Sequence, residues 1–252
     1  MNSTTKSKLS VKLKLLGVVP ALLVWQALSM AINSDILFAG PWDVIKALLV
    51  LCGESLFWQS VWFTLWHIIA GYLLGALLAI VLALLSDRFK LVEALVWPYM
   101  ITIKSVPVAS IVVICLVWMK ARNLSIFTAF LIVLPIVYSN VFAGLKARDS
   151  ELEDVARVYN VTGFEKIKTV LLPELAPYLV SAASVSAGVA WKAGVAAEVI
   201  GTPNGSIGRQ LYLSKTYLDT ADLFAWTLTI VLISTLFEKL FVFVTKKALK
   251  AE

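Results

Sequence analysis

Long, nearly uninterrupted apolar runs decide what this chain can fold into. "HIIAGYLLGALLAIVLALL", from His67 to Leu85, contains no charge. A hydrocarbon core about 30 Å thick needs about 20 such residues as a helix. A backbone inside lipid must also satisfy its own N–H and C=O groups, which a helix does within one segment. Six spans are expected, at about Lys12 to Ala31, Trp58 to Leu85, Leu91 to Met119, Leu124 to Leu145, Glu174 to Ile200 and Leu223 to Val244. The chain is 60% hydrophobic and 15% charged, against about 45–50% and about 25% in ordinary soluble domains. The expectation is an all-α integral membrane protein of six transmembrane helices, with residues 1–252 forming one transmembrane domain.

The cations fall between the runs. Lys6, Lys8, Lys12 and Lys14 precede the first span, and Arg88 and Lys90 follow the second. Lys146, Arg148, Arg157, Lys166 and Lys168 lie between spans four and five, and Lys246, Lys247 and Lys250 end the chain. The alternate loops hold Lys46, Lys120, Arg122, Arg209 and Lys215. Positively charged loops stay inside, so both termini are expected to be cytoplasmic. The net charge of +6 is thereby explained by topology and implies no nucleic acid. Trp42, Trp58, Trp97 and Trp118 suit the membrane interfaces. A basic start and Ser29-Met30-Ala31 would also fit a cleaved leader, leaving five spans, but the apolar run exceeds a leader's usual core. Two outward loops, Asn33 to Phe57 and Gly201 to Asp222, are long enough for short surface helices within "PWDVIKALLVLC" and "SIGRQLYLSKTYL". Gly201, Pro203-Asn204-Gly205 and Gly208 mark turns at the start of the second loop.

Between spans four and five lies a charged stretch, "ELEDVARVYNVTGFEKIKTVLLPELAP". Leu152, Val155, Ala156 and Tyr159 recur at helical spacing on one face. Glu153, Asp154 and Arg157 occupy other faces. Asp149 or Ser150 can cap the start, and the early acids suit the positive end of the helix dipole. Asn160 stands where a left-handed residue would end the helix. Thr162-Gly163 offers a turn. Phe164, Ile167, Val170 and Leu171 give a second short apolar face, and Pro173 fits the first turn of span five. The pattern predicts a ledge with one face packed on the bundle and the other turned outward. It suits either a helix lying on the lipid surface or a docking surface.

The spacing here resembles the coupling loop of bacterial ABC-importer permeases, EAA-x3-G-x9-I-x-L-P. In this chain Asp154-Val155-Ala156 is followed after three residues by Asn160 and after nine more by Val170-Leu171-Leu172-Pro173. Asp replaces Glu, Val replaces Ala, Asn replaces Gly and Val replaces Ile. "HIIAGYLLGALLAIVLALL" and "GVAWKAGVAAEVIG" are similar to the nitrate, sulfonate and taurine permeases and their relatives for thiamine precursors. The resemblance implies a type I importer fold with a permease core over about 58–246 and an extra N-terminal helix over about 12–31. It implies that Leu152, Asp154, Val155, Ala156, Arg157, Tyr159, Asn160, Gly163 and Phe164 form the helix that seats in an ATP-binding subunit. The implied partners are a second copy of the chain, two ATP-binding cassette subunits and an extracytoplasmic solute-binding protein, in the bacterial inner membrane.

Within the spans, Gly71-x3-Gly75 with Ala79 and Ala83 permits close helix approach. Span five is small on nearly every face from Ser181 to Ala197, which suits a central helix at a dimer interface, along a pathway or simply in tight packing. Lys104, Ser184, Gly188, Trp191, Lys192 and Glu198 are the candidates for a translocation path. Ionisable groups at membrane depth face a cavity, a partner or the interface. Lys192 and Glu198 are about 240° apart around a helix and do not pair, whereas Lys104 and Glu198 could. Pro98 and Pro107 should bend span three. His67 has no nearby acid in its span and reads as a packed residue.

No GxxxxGK[ST], HExxH, CxxC or GxSxG occurs, so no nucleotide, metal or nucleophile chemistry is expected here. ATP and Mg would be bound by the partner ATPase. Cys52 and Cys115 are far apart and suggest neither a metal nor a disulfide framework. The reading is a non-enzymatic permease for a small anion such as a sulfonate, taurine or nitrate, with a thiamine precursor or other organic nutrient as the alternative. A secondary transporter is the rival class. It would need coupling carboxylates, for which Glu198 is the candidate, and no inverted repeat is visible.

Overall fold

The computed structural model describes residues 3–32, 34 and 36–249, with side chains from Gly17 onward except that of Glu153. The side chains of Lys6, Lys8, Lys12 and Lys14, along with Asn33 and Lys250, lie outside what is described. The described residues form helices and connecting turns with no strand, as the apolar runs require. Two compact units are formed, one by residues 1–59 and 210–230, the other by 60–209 and 231–252.

The first unit contains α1 (Ser3–Ile32), α2 (Pro41–Cys52), the start of α3 (Ser55–Arg88), most of α10 (Ile207–Thr216) and the start of α11 (Thr220–Leu249). Tryptophan organises it. The Trp25 indole N–H donates to Ala39 O at 3.0 Å and its ring meets Phe224 at 5.5 Å. Phe57 stacks near Trp226 at 5.1 Å. Both surface helices expected in the outward loops are present, as α2 and α10.

The second unit holds the rest of α3, α4 (Lys90–Ser105), α5 (Val108–Trp118), α6 (Leu124–Lys146), α7 (Ser150–Val158), α8 (Gly163–Lys166), α9 (Leu172–Gly201) and the end of α11. Lipid gives apolar faces no reason to seek one another, so close backbone packing must join the helices. A Cβ on Gly71 would overlap Ile126 O, and one on Gly75 would sit 2.8 Å from Phe130 O. These glycines let α3 lie directly on α6. Gly194 meets Ile68 of α3, Gly201 meets Leu124 of α6, and Tyr178 of α9 covers Gly144 of α6. Trp191 of α9 faces Phe237 of α11 at 5.7 Å. Span five is the central helix its small residues announced.

One expectation changes. Span three is two helices, α4 and α5, turned by 104°. Pro107 causes the break. It offers no N–H to continue α4, and it pushes Val106 into the extended region (φ −81°, ψ 129°). Pro98 stays inside α4 without ending it. Pro173 lies in the first turn of α9, as expected. The backbone continues from α8 through a π-helical turn, Ile167–Leu171, into α9. Widening to i→i+5 bonding accommodates the donor that Pro173 lacks. The described residues supply four helices long and apolar enough to cross a membrane, or five with α4 and α5 as one broken span. The first expected span falls on α1, whose side chains before Gly17 lie outside what is described, and its described apolar part is Gly17–Ile32. In the second outward loop, Gly201 ends α9 as a helical residue and Thr202 (φ 45°) is left-handed, so the turn starts one residue later than Gly201 suggested.

Gly71→Leu should therefore separate α3 from α6 and lower the melting temperature of the detergent-purified protein by roughly 5 °C or more. Gly17→Leu, with nothing within 4 Å of its Cβ position, should leave it unchanged. Equal melting of the two variants would contradict this packing.

Candidate functional site

The charged insert is built as a fixed projection. The Asp149 carboxylate accepts from the Glu151 N–H at 2.8 Å and caps α7. At the other end Asn160 is left-handed (φ 51°), with Val161 N donating to Ala156 O at 2.8 Å and Asn160 N to Arg157 O at 3.1 Å. That pair of bonds is a Schellman closure, which requires a left-handed residue at this point. Gly163 (φ 59°) then reverses the chain into α8.

The root of the projection is tied to two other helices. Arg148 reaches Asp87 at the end of α3 at 2.8 Å and also donates to Leu145 O at 2.7 Å. The Asp149 N–H donates to Glu174 Oε1 of α9 at 3.1 Å. Nearby, Lys146 of α6 lies 3.7 Å from Glu93 of α4, and the Tyr138 hydroxyl donates to Ser86 at 3.1 Å. Displacing α7 therefore pulls on the ends of α3 and α9 rather than on a slack loop.

The face of α7 that carries its apolar residues is not packed on the bundle as expected. Of the residues sharing it, only Ala156 is buried, at 4% exposure. Val155 is 51% exposed, Tyr159 77% and Phe164 78%, and Leu152 and Val158 are also exposed. Asp154 and Arg157 pair with one another at 3.1 Å on the exposed surface. The small Ala156 is the point of contact, and the larger apolar side chains around it point outward. An open apolar cluster on a polar segment marks a contact surface.

The candidate path residues separate into two groups. Glu198 is fully buried. Its Oε2 accepts from Thr64 Oγ1 at 2.7 Å and from Gly208 N at 3.3 Å, while Thr64 Oγ1 accepts from Ile207 N at 3.0 Å. Gly208 is needed there because a Cβ would overlap Glu198. The suggested pairing with Lys104 is not formed, since Lys104 Nζ donates to Ser139 Oγ at 2.6 Å. Trp191 is also fully buried, so neither Glu198 nor Trp191 lines open space in this conformation. Ser184, Gly188 and Lys192 behave differently. Lys192 is exposed and lies on a stripe of α9 with Ser181, Val185, Val189 and Ala196 that no other helix of the second unit covers. Ser184 Oγ donates to Glu238 Oε1 at 3.1 Å, and Gly188 faces the same carboxylate. Glu238 of α11 was missed in the sequence. It lies inside the sixth expected span, Leu223 to Val244, and its place in "LFEKLF" was the available signal. His67 packs on Phe63 at 3.9 Å, as a packed residue should.

Residues 71–249 match the model of the binding-protein-dependent transport system inner membrane component. The chain belongs to this family. Its all-helical membrane fold is that of a type I ABC permease, and the family consists of transport permeases rather than enzymes. Individual relatives agree. A protein of Bacillus subtilis (strain 168) named as an aliphatic sulfonates transport permease, SsuC, is 29% identical over 114 residues, 45% of this chain and 41% of the relative. The nitrate import permease NrtB of Synechococcus elongatus is 28% identical over 102 residues, 40% of this chain and 36% of the relative. The chain thus aligns with less than half of the length of either. An ABC transporter permease protein of Methanocaldococcus jannaschii, MJ0413, is 23% identical over 212 residues, 82% of this chain and 78% of the relative. The family match covers α7 and its roots, so the insert is part of the shared permease core.

The tie between Arg148 and Asp87 should be measurable. A double-mutant cycle with Asp87→Ala and Arg148→Ala, read by thermal unfolding of the purified permease, should give a coupling of about 1 kcal/mol. Strictly additive effects would show that the two side chains act independently.

Proposed function

We propose that this permease moves a small oxyanion into the cell, driven by a separate ATPase that seats on α7. The observation that carries the reading is the exposure of Leu152, Val155 and Tyr159 on a helix capped at both ends and tied to α3 and α9, with Phe164 of α8 exposed beside it in sequence. A helix meant only to rest on lipid would need an apolar face and nothing more. Rigid roots suit a lever. The resemblance assigns the partner as an ATP-binding cassette subunit, which would hold ATP and Mg. ATP can drive the transporter only by binding one state of the assembly more tightly than the other. Closure of the ATPase pair would then push α7, and the ion pair and hydrogen bond at its root would carry the displacement into α3 and α9.

The permease acts as a homodimer in this reading. The exposed stripe of α9 offers small residues and one cation toward a second copy, and such a stripe supports close helix packing. In this reading the insert and both termini lie on the cytoplasmic side of the inner membrane, which the cations in the sequence between the spans support. A solute-binding protein delivers the substrate on the opposite side. The names of the sulfonate and nitrate relatives favour an oxyanion cargo.

Val155→Glu and Phe164→Glu place charge in the docking cluster without touching the buried Ala156. Each should cut co-purification of the ATPase about tenfold or more while the permease still reaches the membrane. Normal ATPase recovery with both variants would contradict docking at α7.

A further inference from the structure

At the end of the second unit opposite the insert, an open cleft of about 560 Å³ is lined by Phe63, Arg122, Thr202, Pro203, Asn204 and Arg209. The two arginines come from different elements. Arg122 lies in the 3-10 turn before α6, and Arg209 in the first turn of α10. The Arg122 guanidinium sits 5.8 Å from the Phe63 ring centre. Arg209 donates to Thr202 O at 3.4 Å. No carboxylate lines the cleft, and neither arginine is in an ion pair among the described residues.

The cleft is held in shape. Thr202 and Gly205 are left-handed, and Ser206 Oγ donates to Pro203 O at 2.9 Å while accepting from Arg209 N at 3.0 Å. Below them, Glu198 and Thr64 receive the N–H groups of Gly208 and Ile207. The buried Glu198 thus fixes the turn that carries Arg209 and does not line the cleft. Two guanidiniums with no ion-pair partner among the described residues favour an oxyanion and repel a cation. The volume is within the range of small-molecule sites.

We infer that this cleft binds a small oxyanion of the nitrate or sulfonate type as it enters the permease. The inference rests on the importer reading for its direction, since that reading turns this end outward. Binding itself needs neither ATP nor a partner.

The test uses membrane vesicles containing the full-length permease, with sodium methanesulfonate and sodium nitrate as probes. Phenylglyoxal modification of Arg122 and Arg209 is followed by mass spectrometry. Either probe should slow modification of both arginines about tenfold, and sodium chloride at the same ionic strength should not. Arg122→Gln, which alters an exposed side chain, should remove the protection at Arg209. In the reconstituted transporter it should raise KM about tenfold with kcat within about twofold, while capture of the binding protein is unchanged. No protection, or equal protection by chloride, would overturn the site. So would loss of binding-protein capture in Arg122→Gln without any anion protection in the wild type, because the cleft would then be a docking contact. Protection in a permease that shows no ATP-driven uptake would contradict the importer reading and leave the site standing.

Discussion

The structure depends on small residues that let neighbouring groups come within van der Waals reach of the helix backbones, above all around α9. In lipid, side-chain burial gives little reason for helices to associate, so they need small residues at their crossings. Gly194, Gly201 and Gly144 supply these on α9 and α6, and Gly71 and Gly75 do the same between α3 and α6. With α9 enclosed this way, polar groups can be placed deep in the unit. Glu198 is fully buried and still accepts from Thr64 and Gly208 N.

The same central helix connects the two ends of the second unit. Its start, at Glu174, holds the root of α7. Its end, at Glu198, holds the turn leading into α10. A push on α7 therefore reaches a helix that also positions the opposite end. Under the proposed ATP-driven import, hydrolysis and substrate entry would occur on different sides, and this continuity would join them. The exposed stripe through Val185 and Lys192 leaves one face of that helix for a second copy or the pathway itself.

Much of this was legible in the sequence where a local rule applied. Asp149 as a cap and Asn160 as a left-handed closure follow from backbone chemistry alone, and both are present. The small residues of span five announced a central helix. The direction in which α7 faces was not legible. Amphipathic spacing shows that a helix has two faces, but not which one the protein covers, and here the larger apolar side chains face out. Pro173 was legible as a first-turn proline of span five, but the π turn that leads into it was not. Pro107 was read as a bend, whereas with Val106 forced extended it breaks the span by 104°. Glu238 went unread among apolar neighbours because its partner, Ser184, is 54 residues away in sequence.

The central claim is that the open face of α7 meets a protein, not lipid. A cysteine at its exposed Tyr159, Tyr159→Cys, with Cys52 and Cys115 replaced by serine, decides this in native membranes holding the whole transporter. The account predicts efficient cross-linking to the ATP-binding subunit and no labelling by a photoreactive lipid probe. Labelling by the lipid probe with no cross-link to the ATPase would contradict it.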